Sequence, residues 1–195
     1  MTADLDQQDR SDMALLAAGH DAALNDLMAR HGERLFHYLT RQLGSESEAQ
    51  DCSQETFVRV YLNRSKFRPQ ARFSTWLYTI ATNLVRDTWR RRGRHPETSL
   101  DAERDSGSLF DNIPEAGPCA DEKMMDAERA DEVRRAVQAL PVDLRTALVL
   151  FEYEEMSQAE IAHVLKCTPK AVEVRIYRAR QALKKMLELE PASHC

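Results

Sequence analysis

One stretch limits the possible architectures more than any other. Residues 95–121, HPETSLDAERDSGSLFDNIPEAGPCAD, carry no helical period and collect Pro96, Pro114, Pro118, Gly107 and Gly117 among many acids. That is linker composition, because proline and glycine interrupt regular structure and dense charge resists collapse. A chain of 195 residues interrupted there holds two small domains, each with a modest core. Leu, Ala, Arg and Glu dominate on both sides, which favours helices, and no alternating run is long enough for a strand. The expected fold class is all-α: two small helical domains joined by a flexible acidic linker. The expected boundaries are 1–95, 96–126 for the linker, 127–190, and a tail at 191–195.

Apolar spacing of three and four predicts helices over 11–18, 21–43, 46–63 and 74–92 before the linker. After it, the pattern predicts helices over 127–139, 142–154, 158–165 and 169–189. In the second helix, Leu24, Leu27, Met28, Leu35, Tyr38, Leu39 and Leu43 form the apolar stripe, and Gly44 is the stop.

The net charge of −5 argues against a nucleic-acid binder, which usually has a basic balance. Resolved by segment, the charge is −6 over 1–60, +8 over 61–95, −9 over 96–132 and +2 over 133–195. The basic block is therefore local, and the acidity lies elsewhere.

The basic block coincides with the fourth helix. Phe73, Trp76, Leu77, Ile80, Ala81, Leu84 and Val85 make its apolar stripe. Arg72, Thr75, Thr79, Asn83, Arg86 and Arg90 step by three and four along a second, polar face. Guanidinium groups read phosphates through forked hydrogen bonds, and the Asn83 amide suits a base edge. A solvated helix whose arginines balance its C-terminal dipole is the simpler alternative. On the third helix, Asp51, Gln54, Glu55, Val58 and Leu62 point away from the core positions Ala49, Cys52, Thr56 and Val60, with Phe57 and Tyr61 close by. This acidic and amide patch around an exposed valine fits a protein-docking surface, or an ordinary solvated face.

The last two helices read as a helix-turn-helix. Ser157-Gln158-Ala159-Glu160 is a capping box, Lys166-Cys167 a tight turn, and Thr168-Pro169 the start of the next helix. In such a motif the second helix enters the major groove. Its outer face shows Lys170, Val174, Tyr177 and Gln181, flanked by Glu173, Arg175 and Arg178. A helical hairpin used only for protein contact is the rival reading.

Little in the sequence looks catalytic. Phosphate-loop, zinc-protease and nucleophile-elbow motifs are missing, and no cofactor is expected. His163 with Cys167, or His194 with Cys195 at the tail, supplies too few ligands for a closed zinc site. The four scattered cysteines fit free thiols in a reducing compartment. No apolar run suits a membrane span, and the polar N-terminus lacks the apolar core of a secretory signal. A cytoplasmic protein is expected.

Several of these motifs together resemble a known family. Asp51-Cys52-Ser53-Gln54-Glu55-Thr56-Phe57, Phe67-Arg68, and Phe73-Ser74-Thr75-Trp76-Leu77-Tyr78-Thr79-Ile80-Ala81-Thr82-Asn83 look like the sigma-2 domain of bacterial extracytoplasmic-function sigma factors. Ala139-Leu140-Pro141, Ser157-Gln158-Ala159-Glu160-Ile161-Ala162 and Val174-Arg175-Ile176-Tyr177-Arg178-Ala179-Arg180 look like the sigma-4 domain. The resemblance implies an alternative sigma factor that gives RNA polymerase a promoter address and does no chemistry itself. It implies that Asp51, Gln54, Glu55 and Val58 dock on the β′ clamp helices of core polymerase, with the β subunit as a further partner. Arg68, Arg72, Thr75, Trp76, Thr79, Asn83, Arg86 and Arg90 would serve the promoter −10 element, with Asn83 holding a flipped base. Lys170, Glu173, Val174, Arg175, Tyr177 and Arg178 would serve the −35 element. An anti-sigma factor is an implied partner.

Three residues depart from the family pattern. Glu173 stands where Lys or Arg is common, Phe151 where an arginine often lies near the DNA backbone, and Lys166 where a glycine is common at the turn. A free-standing helix-turn-helix regulator is the alternative function, but it needs neither the Asp51–Gln54–Glu55 face nor the arginine-rich fourth helix.

Overall fold

Serine caps open two of the helices. The Ser45 side chain accepts from the Glu48 amide, and Ser157 and Glu160 form a reciprocal capping box. These contacts satisfy amides that a helix start leaves without partners. A computed structural model describes residues 2–94 and 120–189. Its helices are α1 (Thr2–Ala17), α2 (Ala23–Leu43), α3 (Glu46–Leu62) and α4 (Phe73–Arg94), then α5 (Ala120–Ala139), α6 (Val142–Glu152), α7 (Gln158–Leu165) and α8 (Pro169–Leu189). No strand occurs among the described residues.

The first four helices bury Leu27, Leu35, Tyr38, Leu39, Val60, Phe73, Leu77 and Val85. Tyr38 packs edge-on against Tyr78, with ring centroids 5.1 Å apart. The Tyr38 hydroxyl lies 2.7 Å from the Thr82 hydroxyl, so the buried phenol is satisfied. Burial pushes its pKa upward. Phe67, Phe73 and Trp76 make an aromatic cluster where the α3–α4 connection meets α4. The last four helices bury Leu140, Leu150, Ile161, Val164, Val172 and Ile176.

Several expectations change. The first helix runs Thr2–Ala17 rather than 11–18. Its inward Asp9 is buried and ion-paired, 3.0 Å from Arg30 Nε and 2.9 Å from His31 Nε2. Apolar periodicity cannot report a turn anchored by a carboxylate. Residues 120–126, assigned to the linker, belong to α5. Met28 is exposed, because Leu27 and Leu35 already fill the inward positions. The remaining helix limits agree to within two residues, those of α7 and α8 in full.

The two sets of helices meet along α4, which α7 packs against, and at the C-terminus of α2. The Gln138 amide donates to the Thr40 and Arg41 carbonyls at 3.2 and 2.7 Å. Arg145, 3% exposed, donates to the carbonyls of Gln42, Gln138 and Leu140 and to the Gln138 side chain. It also lies 5.2 Å from the Trp89 ring centroid. No carboxylate accompanies it in these bonds; carbonyls at the ends of α2 and α5, where helix dipoles are negative, take its place. Burial, and to a smaller degree Arg92, lowers its pKa.

The turn between α7 and α8 shows a local cost. Lys166 sits at φ 53° and ψ 49°, the left-handed region. A side chain there is strained by roughly 1 kcal/mol, which glycine avoids. Lys166→Gly is expected to gain up to about 1 kcal/mol in denaturant unfolding, reduced by the extra freedom glycine has when unfolded. A loss of stability would show that the Lys166 stem contributes packing.

Candidate nucleic-acid and protein interfaces

The α3 face is an exposed strip. Asp51 and Gln54 are open to solvent, and Glu55 is half-buried and bound to Arg59 Nε at 2.8 Å. Val58 is 49% and Leu62 66% exposed. Positions 51, 54, 55, 58 and 62 follow helical spacing, so acids lead into an uncovered apolar end. Cys52, Thr56, Phe57 and Val60 are buried behind it. The strip has the mixed character of a protein-contact surface. Leu62, which helical spacing also turns away from the core, continues the strip at its C-terminal end.

The expected polar face of α4 is split. Asn83 is half-buried, and its amide has no hydrogen-bond partner among the described residues. Arg68 lies exposed in the preceding loop, and Arg90 is exposed beside Asp87 at 3.2 Å. Trp76 is half-buried in the aromatic cluster. The other four residues are engaged elsewhere. Arg72 Nη1 donates to Glu160 Oε1 at 2.8 Å, and Arg72 Nε lies 2.9 Å from Asp6. Burial opposes this guanidinium's charge, but the bonds to Glu160 and Asp6 raise its pKa above the ordinary value. Thr75 is buried, its hydroxyl 3.4 Å from the same Glu160 oxygen. Thr79 donates to the Thr75 carbonyl. Arg86 lies 3.7 Å from Asp143.

Glu160 is thus shared between its own capping box and α4. Burial raises its pKa, but the Ser157 bonds and Arg72 outweigh that and hold it below the usual carboxylate range. Sequence pattern identified the capping role and missed the second one. A side chain that caps one helix and neutralises another has no local signature.

The outer face of α8 is open. Val174 and Tyr177 are 38% and 64% exposed, and Lys170, Glu173 and Arg178 face solvent. Lys170 Nζ binds Glu173 at 2.9 Å, so the acid is partly neutralised by its neighbour. Thr168 accepts from the Ala171 amide as the expected cap. Arg175, on the flank of this face, is half-buried, 3.7 Å from both Asp143 and the Cys167 sulfur. Phe151 lies under Arg180, 5.6 Å from ring centroid to guanidinium carbon.

No His, Cys, Asp or Glu cluster suited to a metal occurs among the described residues, and His194 and Cys195 lie outside them. No helix among the described residues is long and apolar enough to cross a membrane.

Comparison with known proteins follows the same two-part division. Residues 27–95 match the family model of Sigma-70 region 2, and residues 130–183 match that of Sigma-70, region 4. The ECF RNA polymerase sigma factor SigW of Bacillus subtilis is 34% identical over 172 residues, covering 87% of this chain and 91% of the relative. The RNA polymerase sigma-H factor of Pseudomonas aeruginosa is 33% identical over 184 residues, covering 93% and 95%. Among solved structures, CnrH in complex with the cytosolic domain of CnrY is similar with a TM-score of 0.68 and 29% identity, covering 94% of this chain and 99% of CnrH. The sigma factor RpoE of Bartonella quintana, solved with the anti-sigma factor NepR, shares the fold with a TM-score of 0.64 at 19% identity, covering 86% and 98%.

Proposed function

We propose, from the premise that the chain belongs to the extracytoplasmic-function family of sigma-70-type RNA polymerase sigma factors, how its surfaces divide the work of promoter-specific initiation. The chain is an alternative sigma factor, a subunit that core RNA polymerase uses to find promoter DNA. The observation that carries the division of labour is that three different helices present candidate contacts: acids and an exposed Val58 on α3, a half-buried Asn83 on α4, and exposed Tyr177 with Val174 on α8.

The domain of residues 1–95 docks α3 on the β′ clamp helices through Asp51, Gln54, Glu55 and Val58, and the chain also meets the β subunit. Its α4 face and the loop at 68–72 receive the −10 element. Extracting a base from the stack costs a few kcal/mol. An Asn83 amide with no partner among the described residues offers a donor and an acceptor to offset that cost. The domain that begins within α5 reads duplex −35 DNA through α8. Lys170, Val174, Tyr177 and Arg178 are the exposed contacts there. Arg175 acts through Asp143, and Glu173 is suited to accept from cytosine N4. The segment between the domains tethers two weak contacts and so raises the effective concentration of the second.

The chain works by binding, with no reaction of its own and no cofactor, and its work on RNA polymerase assigns it to the cytoplasm. The complexes of CnrH with CnrY and of RpoE with NepR support an anti-sigma protein as a further partner.

Asn83→Ala tests the base pocket. Selectivity at one −10 position should fall by about 1–3 kcal/mol, measured as relative initiation rates across a promoter library. Equal weakening of all promoters would contradict the pocket.

A further inference from the structure

We propose that α1 positions the −10 pocket: its Asp9 and Asp6 act through His31 and Arg72 to hold the loop that shapes the place where Asn83 takes a base. This rests on the reading of α4 and the loop at 68–72 as the −10 face. α1 itself lies outside residues 27–95, the stretch that matches Sigma-70 region 2.

The loop is fixed at its base. Arg68–Ala71 closes as a turn, the Ala71 amide donating to the Arg68 carbonyl at 2.9 Å. Pro69, second in that turn, has its φ set in advance. Phe67 precedes the turn, and Phe73 opens α4 just after Arg72. The two rings lie 6.2 Å apart, with Trp76 at 5.4 Å from Phe67 and 6.2 Å from Phe73. Both ends of the loop thus meet in one aromatic cluster, while residues 68–71 stay exposed above it. A shift of Phe73 moves the loop and the first turn of α4 together.

α1 packs against α2, the turn Arg64–Lys66 and α4, and it reaches the cluster by two routes. The first passes through α2. The His31 ring lies obliquely on Phe73, with centroids 5.0 Å apart and planes at 55°. Its Nε2 lies 3.0 and 2.9 Å from the two Asp9 oxygens. Asp9 as a carboxylate only accepts, so Nε2–H donates, and this fixes the tautomer and the tilt of the ring. The Asp9 side chain is 2% exposed and is braced by Arg30 Nε at 3.0 Å. So buried a charge persists only where such bonds offset its desolvation. A leucine at position 9 would also join α1 to α2, but it could not orient an imidazole against Phe73. The second route is direct: Asp6 lies 2.9 Å from Arg72 Nε, at the end of the loop. Asp12 also binds Arg30 on the α1–α2 seam, but neither route passes through it.

A site that discriminates must be held to within about 0.5 Å. Loosening His31 should therefore change which base is preferred more than how strongly promoters are used. The test is run-off transcription with the full chain and core RNA polymerase, on a library varied at each −10 position. The reference is the position at which Asn83→Ala loses selectivity. His31→Gln keeps a donor for Asp9 but takes the ring from Phe73, and it should lower the preference there about 5-fold. Added to Asn83→Ala, it should cost less than about a further 2-fold, because both act on one pocket. His31→Tyr, which has a ring and a donor, should restore the preference. Asp12→Asn weakens the seam away from the loop and should leave the preference unchanged. Should His31→Gln fail to fold, Asp6→Asn, at a partly exposed site, should show a loss confined to the same position. An equal change at every −10 position, or the same loss from Asp12→Asn, would overturn the positioning role and leave the sigma-factor reading intact. A wild type that directs no promoter-specific transcript, or an Asn83→Ala with no such position, would overturn the underlying reading as well.

Discussion

Asp51→Arg is expected to reduce binding to core RNA polymerase by 100-fold or more, about 3 kcal/mol, while the protein keeps its stability. Asp51 is exposed and makes no ion pair among the described residues, and substitutions at such sites usually change stability by no more than about 0.5 kcal/mol. At a docking surface the balance reverses. A positive charge set against a partner patch matched to acids costs several kcal/mol, and truncating a central contact costs about 2–4 kcal/mol. Val58→Asp should act similarly, because Val58 stands between the acids and Leu62 at the uncovered end of α3. Glu33→Arg, an equal reversal on exposed α2, should leave binding within about 2-fold. Titration of labelled core polymerase with each variant checks this. Full binding by Asp51→Arg would remove α3 from the polymerase contact.

The second large effect is expected at Arg145. Burying a guanidinium without a carboxylate costs several kcal/mol. Bonds to four acceptors on α2, α5 and the α5–α6 corner offset that cost. Charged hydrogen bonds contribute about 1.5–3 kcal/mol each before desolvation is counted. Arg145→Met spares the desolvation but leaves the Gln42, Gln138 and Leu140 carbonyls short of donors. A net loss of about 3 kcal/mol follows, a fall of roughly 6–12 °C in melting temperature for a chain of this size. Arg145→Lys should rescue little, because one ammonium cannot span acceptors that a planar fork reaches together. Circular dichroism should show unchanged helix content before the transition. A melting temperature within 2 °C of wild type, roughly half a kcal/mol, would mean that the carbonyls find other donors and that Arg145 is no keystone.

Arg145 also shows where sequence reasoning stops. The helices could be read because their inward positions are apolar and regularly spaced, as with Leu27, Leu35 and Leu39 on α2 or Leu77, Ala81 and Val85 on α4. The turn at Lys166 and the caps at Ser157 and Thr168 were legible because their chemistry is local. The start of α1 was not, because its buried anchor is Asp9 and the acid's partners lie about twenty residues away. Arg145 did leave a signal, a lone cation inside the apolar run LRTALVLF. A charge in such a run is either a fault or a buried contact, and here it joins two domains.

The candidate surfaces were legible to differing degrees. Spacing placed Asp51, Gln54 and Val58 on one exposed strip, and the structure agrees. Spacing also placed Arg72, Thr75, Thr79, Asn83, Arg86 and Arg90 on one face, but could not reveal that α7 lies against it, with Asp143 of α6 beside Arg86. Pairings such as Arg72–Glu160 and Arg86–Asp143 join residues far apart in the chain. They follow from tertiary packing, which local pattern does not contain. Arg175 shows the same limit: its neighbour Asp143 at the start of α6, 3.7 Å away, is set by tertiary packing.

Run-off transcription with purified core RNA polymerase on a promoter library tests the central claim most directly. With the wild-type chain added, transcripts should start at a defined subset of promoters sharing one −10 and one −35 sequence, and Asp51→Arg should abolish them. Transcription that is absent, or that ignores promoter sequence, would contradict the account.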